Sequence, residues 1–202
     1  KAFCAGADLK KYTQRDYLGL REMWNPDRQS RPGGRQLQVA KPVIAAINGY
    51  CLAAGQEIAL GCDIRIASTA ASFGSPEVRW SLLHGYGALK LPQTVSLAVA
   101  MDMLLTGERI SAARAYEIGL VSRLVAPEEL MPTALKMAEQ IAGHGPLAIK
   151  GIKDIALRGL TMSPDDAIAY RNSVSALIRL TEDAKEGPRA FSEKRKPNFK
   201  GR

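Results

Sequence analysis

The segment Lys41-Pro42-Val43-Ile44-Ala45-Ala46-Ile47 constrains the fold most. It is short, apolar and rich in branched residues, and it stops at the turn-forming pair Asn48-Gly49. A run of this length with such an end reads as a buried strand followed by a turn. Helix-forming residues come next. Ile58 is spaced to share a face with Ala54 and Cys62, so a helix is expected to start near Ala54. Asp63-Ile64-Arg65-Ile66-Ala67 reads as the next strand, and Ser72-Phe73-Gly74 as a further extended piece. Strand, helix and strand within a few tens of residues argue for the α/β class. The chain also opens in what reads as the end of a strand, without an initial Met, so residues are expected before Lys1.

The second half reads differently. Helices are expected over 96–105, over 111–117 with Ser111 as N-cap and Gly119 closing it, and over 127–143 and 146–158. Ser163-Pro164-Asp165-Asp166 supplies an N-cap, a Pro at the first helical position and acids in the first turn, opening a helix to about Leu180. A last helix is expected over 183–194. Earlier, 12–23 reads as a short helix and 24–35, with Pro26, Pro32, Gly33 and Gly34, as a loop. The expected organisation is an α/β part over 1–127 and a helical part over 128–202.

Composition narrows the functional classes. With 202 residues, 46% hydrophobic and 24% charged, the chain has the make-up of an ordinary soluble globular domain. No apolar run approaches the ~20 residues of a membrane span, so no membrane partner is expected. Cys4, Cys51 and Cys62 form no C-x-x-C pair and read as free thiols in a reducing compartment. His84 and His144 stand far apart without partners at ligand spacing, so no metal site is expected. The net charge of +8 suits a polyanionic partner, either nucleic acid or a phosphate-rich cofactor such as coenzyme A. Aromatic and basic residues do not interleave as in single-strand binders, which makes nucleic acid the distant alternative.

Three local patterns bear on chemistry. In Ala2-Phe3-Cys4-Ala5-Gly6-Ala7-Asp8-Leu9 a strand enters a tight turn centred on Gly6, either a plain strand-to-helix turn or one whose backbone N–H groups converge on a ligand. In Asn48 to Glu57 small residues lead into a helix N-terminus. There the first N–H groups lack intrahelical acceptors and the dipole is positive. That arrangement serves either close helix–strand packing or stabilisation of an oxyanion. The third pattern is a pair of carboxylates, Glu57 and Glu77. Facing one water or one C–H bond, they could divide acid and base work. Their spacing leaves open whether they meet.

Taken together, these segments resemble the crotonase superfamily, the enoyl-CoA hydratase/isomerase family. The resemblance rests on Ala5-Gly6-Ala7-Asp8, on Lys41 to Tyr50, on Glu57 to Ala67, on Phe73-Gly74-Ser75-Pro76-Glu77-Val78, on Thr106-Gly107 and Gly119-Leu120-Val121, and on the tail Ala190 to Phe199. It implies a spiral of ββα units with a C-terminal helical trimerisation region, the N-terminal unit lying before Lys1. Homotrimers, or hexamers built of two trimers, are the implied assemblies. It implies an enoyl-CoA hydratase that adds water syn across the 2,3 double bond, with coenzyme A part of the substrate and no separate cofactor. By resemblance Ala7 and Ala54 supply the oxyanion-hole N–H groups, Glu57 activates the water and Glu77 protonates Cα. Ala5, Asp8, Leu9, Lys10 and Gly85 fall among CoA- or substrate-binding positions, and Phe191 and Lys194 where a neighbouring subunit's CoA is reached. A bacterial cytoplasm is the implied location, with a mitochondrial matrix as the alternative.

Two departures stand out. Ala53-Ala54-Gly55 replaces the family's three glycines; an alanine N–H still donates where the residue is helical with negative φ. The loop after Glu77 is rewritten as Leu83-His84-Gly85-Tyr86-Gly87-Ala88, where His84 and Tyr86 are either plain loop residues or polar contacts to an unusual acyl group. The alternatives are thus a double-bond isomerase or a hydratase of carnitine-derived or aromatic acyl-CoA.

Overall fold

The structure, a computed structural model, describes residues 1–11 and 39–202; the expected helix over 12–23 and loop over 24–35 lie outside the described residues. The chain forms strands β1 (Ala2–Cys4), β2 (Ile44–Ile47) and β3 (Tyr50–Leu52), helix α1 (Ala54–Gly61), and strands β4 (Ile64–Ser68) and β5 (Ser72–Gly74). A 3₁₀ turn, Pro76–Trp80, leads through a loop to the short helix α2 (Gly85–Lys90). Helix α3 (Leu97–Thr106), β6 (Arg109–Ser111), α4 (Ala112–Glu117) and β7 (Arg123–Val125) follow.

From β1 to β5, successive strands alternate between two sheets. Among the described residues, one sheet has the order β1-β3-β5-β6 and the other β2-β4-β7. Pairing is parallel except between β5 and β6. Ile47 lies opposite Ala67 in one sheet, and Cys51 opposite Phe73 in the other. Parallel strands are covered on both faces and so read as near-continuous apolar runs, which is why Val43 to Ile47 was legible as a strand. Ile47, Ile66, Ala67, Cys51 and Phe73 are buried, joined in the core by Leu91, Ala100, Met103, Ala115 and Leu120. Arg65 lies half-buried on β4. Its guanidinium donates to the carbonyls of Leu120 at 2.7 Å and Cys62 at 2.9 Å, and burial lowers its pKa from the usual arginine value. No disulfide joins Cys4, Cys51 and Cys62, and burial drives the thiol of Cys51 well above its ordinary pKa.

Among the described residues two compact units result: those up to Ala134 apart from Val39–Pro42, and Val39–Pro42 with Leu135–Arg202. Helix α5 (Leu130–Ala142) carries the division, and α6 (Pro146–Gly159), α7 (Pro164–Arg179) and α8 (Glu182–Ser192) follow. The expected caps are in place: the hydroxyl of Ser111 accepts from the N–H of Arg114 at 3.1 Å, and that of Ser163 from Asp166 at 3.2 Å. No helix among the described residues is long and apolar enough to cross a membrane.

Buried acids at the start of α8 hold the C-terminal segment. Asp183 accepts from the N–H groups of Lys200 and Gly201, at 2.6 and 2.8 Å. Glu186 accepts from Arg195, from the N–H of Asn198 at 2.9 Å, and from Arg189. The Arg195 bonds, then those of Asn198 and Arg189, hold its carboxyl far below the usual carboxylate range. A depressed native pKa stabilises the folded state wherever the unfolded carboxyl would be ionised. The advantage is therefore full above about pH 4.3 and fades as pH falls from there toward the native value. Glu186→Gln is expected to lower the thermal midpoint at pH 7, with the gap to the parent narrowing on acidification below about pH 4; calorimetry across that range checks it.

Candidate active site

The site begins where two backbone segments run side by side. A Cβ added to Gly55 would lie 2.1 Å from the carbonyl oxygen of Cys4, and one added to Gly6 would lie 2.7 Å from the Cβ of Ala53. Only glycine at both positions lets the turn after β1 lie against the start of α1. Ala54 is the first residue of α1, so its N–H has no acceptor within the helix. It is helical, and its φ is not among the positive ones, as donation from an alanine requires. Ala53 differs: its φ is 54° with ψ −127°, a conformation where glycine is favoured. The replacement of glycine at 53 is thus a strain that the surrounding packing holds.

The two carboxylates stand at one place in the fold, on either side of one imidazole. Glu57 stands in the first turn of α1, and Glu77 in the 3₁₀ turn that follows β5. The N–H of Gly87, near the start of α2, donates to Glu57 Oε1 at 3.3 Å. His84 comes between the two. Its Nδ1 is 2.6 Å from Glu77 Oε1 and 3.9 Å from Glu57 Oε1. The three side chains are 4% (His84), 11% (Glu57) and 14% (Glu77) exposed. Close packing fixes this cluster as well. A Cβ at Gly85 would lie 2.9 Å from Glu57 Oε1, and one at Gly87 would overlap His84 Nε2 at 1.8 Å. Beneath it, Ser75 Oγ donates to Gln56 Oε1 at 2.7 Å, tying the start of the 3₁₀ turn to α1.

A cavity of about 440 Å³ opens on this cluster. Ala5, Ala7, Leu9, Ala53, Ala54, Glu57, Pro76, Glu77, Trp80, Leu82, Leu83 and Gly85 line it. It therefore gathers Glu57, Glu77, Ala7, Ala54, Ala5, Leu9 and Gly85 from the sequence expectations. Asp8 and Lys10 are exposed beside it; Asp8 Oδ1 accepts from the N–H of Lys10 at 3.0 Å and so shapes the turn. Phe191 and Lys194 belong to the other compact unit, both exposed.

His84 and Tyr86 do not take the places that their loop suggested. Neither lines the cavity: His84 is buried against the carboxylates, and Tyr86 packs on the hydrophobic core, where burial raises its phenol pKa. A signal was present. Two glycines flank Tyr86 directly after His84, and they are the positions that make room for Glu57 and the imidazole. Trp80, with Leu82 and Leu83, was also missed as a cavity wall.

Backbone donors beside paired carboxylates, on an α/β scaffold of parallel strands, define an enzyme site able to polarise a carbonyl and move protons near it. The sequence profile described as enoyl-CoA hydratase/isomerase matches residues 1–202. The (E)-benzylidenesuccinyl-CoA hydratase of Thauera aromatica is 43% identical over the whole chain and 78% of its own length. The short-chain-enoyl-CoA hydratase of Clostridium acetobutylicum is 38% identical over the whole chain and 77% of its length. A crystal structure of enoyl-CoA hydratase from Bacillus anthracis, 36% identical, superposes with a TM-score of 0.91 over the whole chain and 78% of the other. The chain belongs to the enoyl-CoA hydratase/isomerase family, and its fold is the crotonase fold.

Relief of the strain at position 53 is measurable. Ala53→Gly is expected to raise stability by about 1 kcal/mol, the cost of the unfavourable backbone less the entropy that glycine adds to the unfolded chain. Chemical denaturation of parent and variant checks it.

Proposed function

We propose that the protein is an enoyl-CoA hydratase that adds water syn across the 2,3 double bond of a 2-enoyl-CoA. The observation that carries this reading is that Glu57, Glu77, Ala7 and Ala54 all line one cavity. The thioester oxygen accepts from the N–H groups of Ala7 and Ala54, which oppose the enolate-like charge of the transition state. Binding energy spent there speeds the reaction, because the charge exists only in passing. Glu57 takes a proton from water as its oxygen attacks Cβ, and Glu77 gives a proton to Cα. Two carboxylates on one cavity support delivery of both groups to one face of the double bond. They also favour hydration over double-bond isomerisation, which moves a proton without needing a second group to activate water.

Coenzyme A enters as part of the substrate, with Ala5, Asp8, Leu9 and Lys10 at its mouth. Phe191 and Lys194 of a neighbouring subunit complete its site in a homotrimer or a dimer of trimers, and the expected location is a bacterial cytoplasm. A wider acyl group is a second reading. Trp80 and Leu83 line the cavity yet are 64% and 94% exposed, which leaves apolar surface for a ring to cover.

Crotonyl-CoA and cinnamoyl-CoA, followed by loss of the conjugated thioester absorbance, test both readings. The parent is expected to hydrate crotonyl-CoA, and Glu57→Gln and Glu77→Gln each to lower kcat by about 10²- to 10⁴-fold. No turnover of either thioester would overturn the hydratase reading. Trp80→Ala is expected to raise KM for cinnamoyl-CoA more than for crotonyl-CoA.

A further inference from the structure

The hydration just proposed uses two carboxylates and assigns nothing to His84, the most buried member of the cluster. Its placement is specific. Nδ1 faces both glutamates through the same kind of oxygen, Oε1, at 2.6 Å from Glu77 and 3.9 Å from Glu57. Nε2 faces the backbone at Gly87, is buried, and has no hydrogen-bond partner among the described residues. Orphaned buried N–H donors are rarer in proteins than under-used acceptors. The ring proton of a neutral imidazole therefore belongs on Nδ1, where acceptors stand, and the lone pair on Nε2, against Gly87.

Hydration moves one negative charge between these acceptors. At the start Glu57 is the carboxylate and Glu77 the acid. Water loses a proton to Glu57 as its oxygen bonds Cβ, while Glu77 loses a proton to Cα as the electron pair of the double bond moves there. At the end Glu57 is the acid and Glu77 the carboxylate. The Nδ1–H, 2.6 Å from Glu77 Oε1 and out of hydrogen-bond reach of Glu57 at 3.9 Å, has a neutral acceptor at the start of the reaction and an ionised one at the end. Hydrogen bonds to an ionised acceptor are about twice as strong as neutral ones. The bond to Glu77 strengthens as its proton leaves, so it favours the transition state over the bound substrate.

We propose that His84 is a positioning residue for the hydration, a neutral imidazole whose Nδ1–H holds Glu77 and bonds it more strongly as Glu77 becomes the carboxylate. This rests on the hydratase reading. No proton leaves His84 at any step, and its contribution is made through Glu77.

Side-chain geometry supplies a discriminating test. The amide nitrogen of asparagine can occupy the place of Nδ1, whereas that of glutamine reaches toward Nε2 and better fills the volume. His84→Ala and His84→Gln are expected to lower kcat on crotonyl-CoA by about 10- to 100-fold with KM little changed, the loss of one hydrogen bond to a charged group. His84→Asn is expected to keep kcat within about 10-fold of the parent. A ring that only fills space gives the opposite order, Gln above Asn, and that order would overturn the proposal. So would full kcat in His84→Ala, or a change confined to KM. If the parent itself does not turn over, the hydratase reading fails rather than this one. A second measurement needs no variant at position 84. The chain has two histidines, so ¹⁵N-labelled imidazole spectra of the parent and His144→Gln assign His84. A protonated Nδ1 with a bare Nε2 at neutral pH is expected; the reverse tautomer, or an imidazolium, would refute the assignment.

Discussion

The close approach of the turn after β1 to the start of α1 is the contact on which the rest of the site depends. Gly55 lies so near the carbonyl of Cys4, and Gly6 so near the Cβ of Ala53, that neither position has room for a side chain. Protein interiors are packed too densely to absorb such a clash by small local shifts. The contact brings the backbone at Ala7 and the free helical N–H of Ala54 to one cavity wall, before any acid or base is in place. Glu57 then follows in the first turn of the same helix, so the carboxylate and the backbone donor share one rigid element.

The opposite wall is made from less regular chain. The 3₁₀ turn Pro76–Trp80 carries Glu77, and the glycine-rich entry to α2 carries His84. What makes this wall definite is polar contact with α1. Gly87 N–H donates to Glu57 and Ser75 donates to Gln56, while His84 bonds Glu77 within the wall itself. In a poorly solvated cluster each such bond counts for more than it would in water, and an unmatched partner costs more. The short α2 is thus held by the carboxylate it helps to seat, a mutual dependence that neither segment shows alone.

These two walls differed in how far they were legible in the sequence. The buried strand before Asn48-Gly49, the start of α1 at Ala54 and the late helices were readable, because apolar runs and caps such as Ser111 and Ser163 are local signals. Strand β3, Tyr50–Leu52, reads by sequence only as small residues leading into a helix, since three residues carry no period. By sequence helix α2 reads as loop, because Gly85 and Gly87 have poor helix propensity; contacts with Glu57 outweigh it there. That Glu57 and Glu77 share a cavity could not be read from their separation. By sequence His84 reads as a loop residue or an acyl contact, and its burial against the carboxylates follows from the fold of a loop with no periodic pattern. The structure also gives a physical reading of Ala53-Ala54-Gly55: the middle alanine is helical and costs nothing, the first is strained, and the glycine is obligatory.

The central claim is that one cavity holds a thioester oxygen on two backbone N–H groups while two carboxylates face the adjacent carbons. A crystal structure with a bound, unreactive acyl-CoA thioester tests it most directly. The account predicts the thioester oxygen about 3 Å from the nitrogens of both Ala7 and Ala54, with Cα and Cβ beside Glu77 and Glu57. A thioester bound elsewhere, or with its oxygen turned away from both amides, would contradict it.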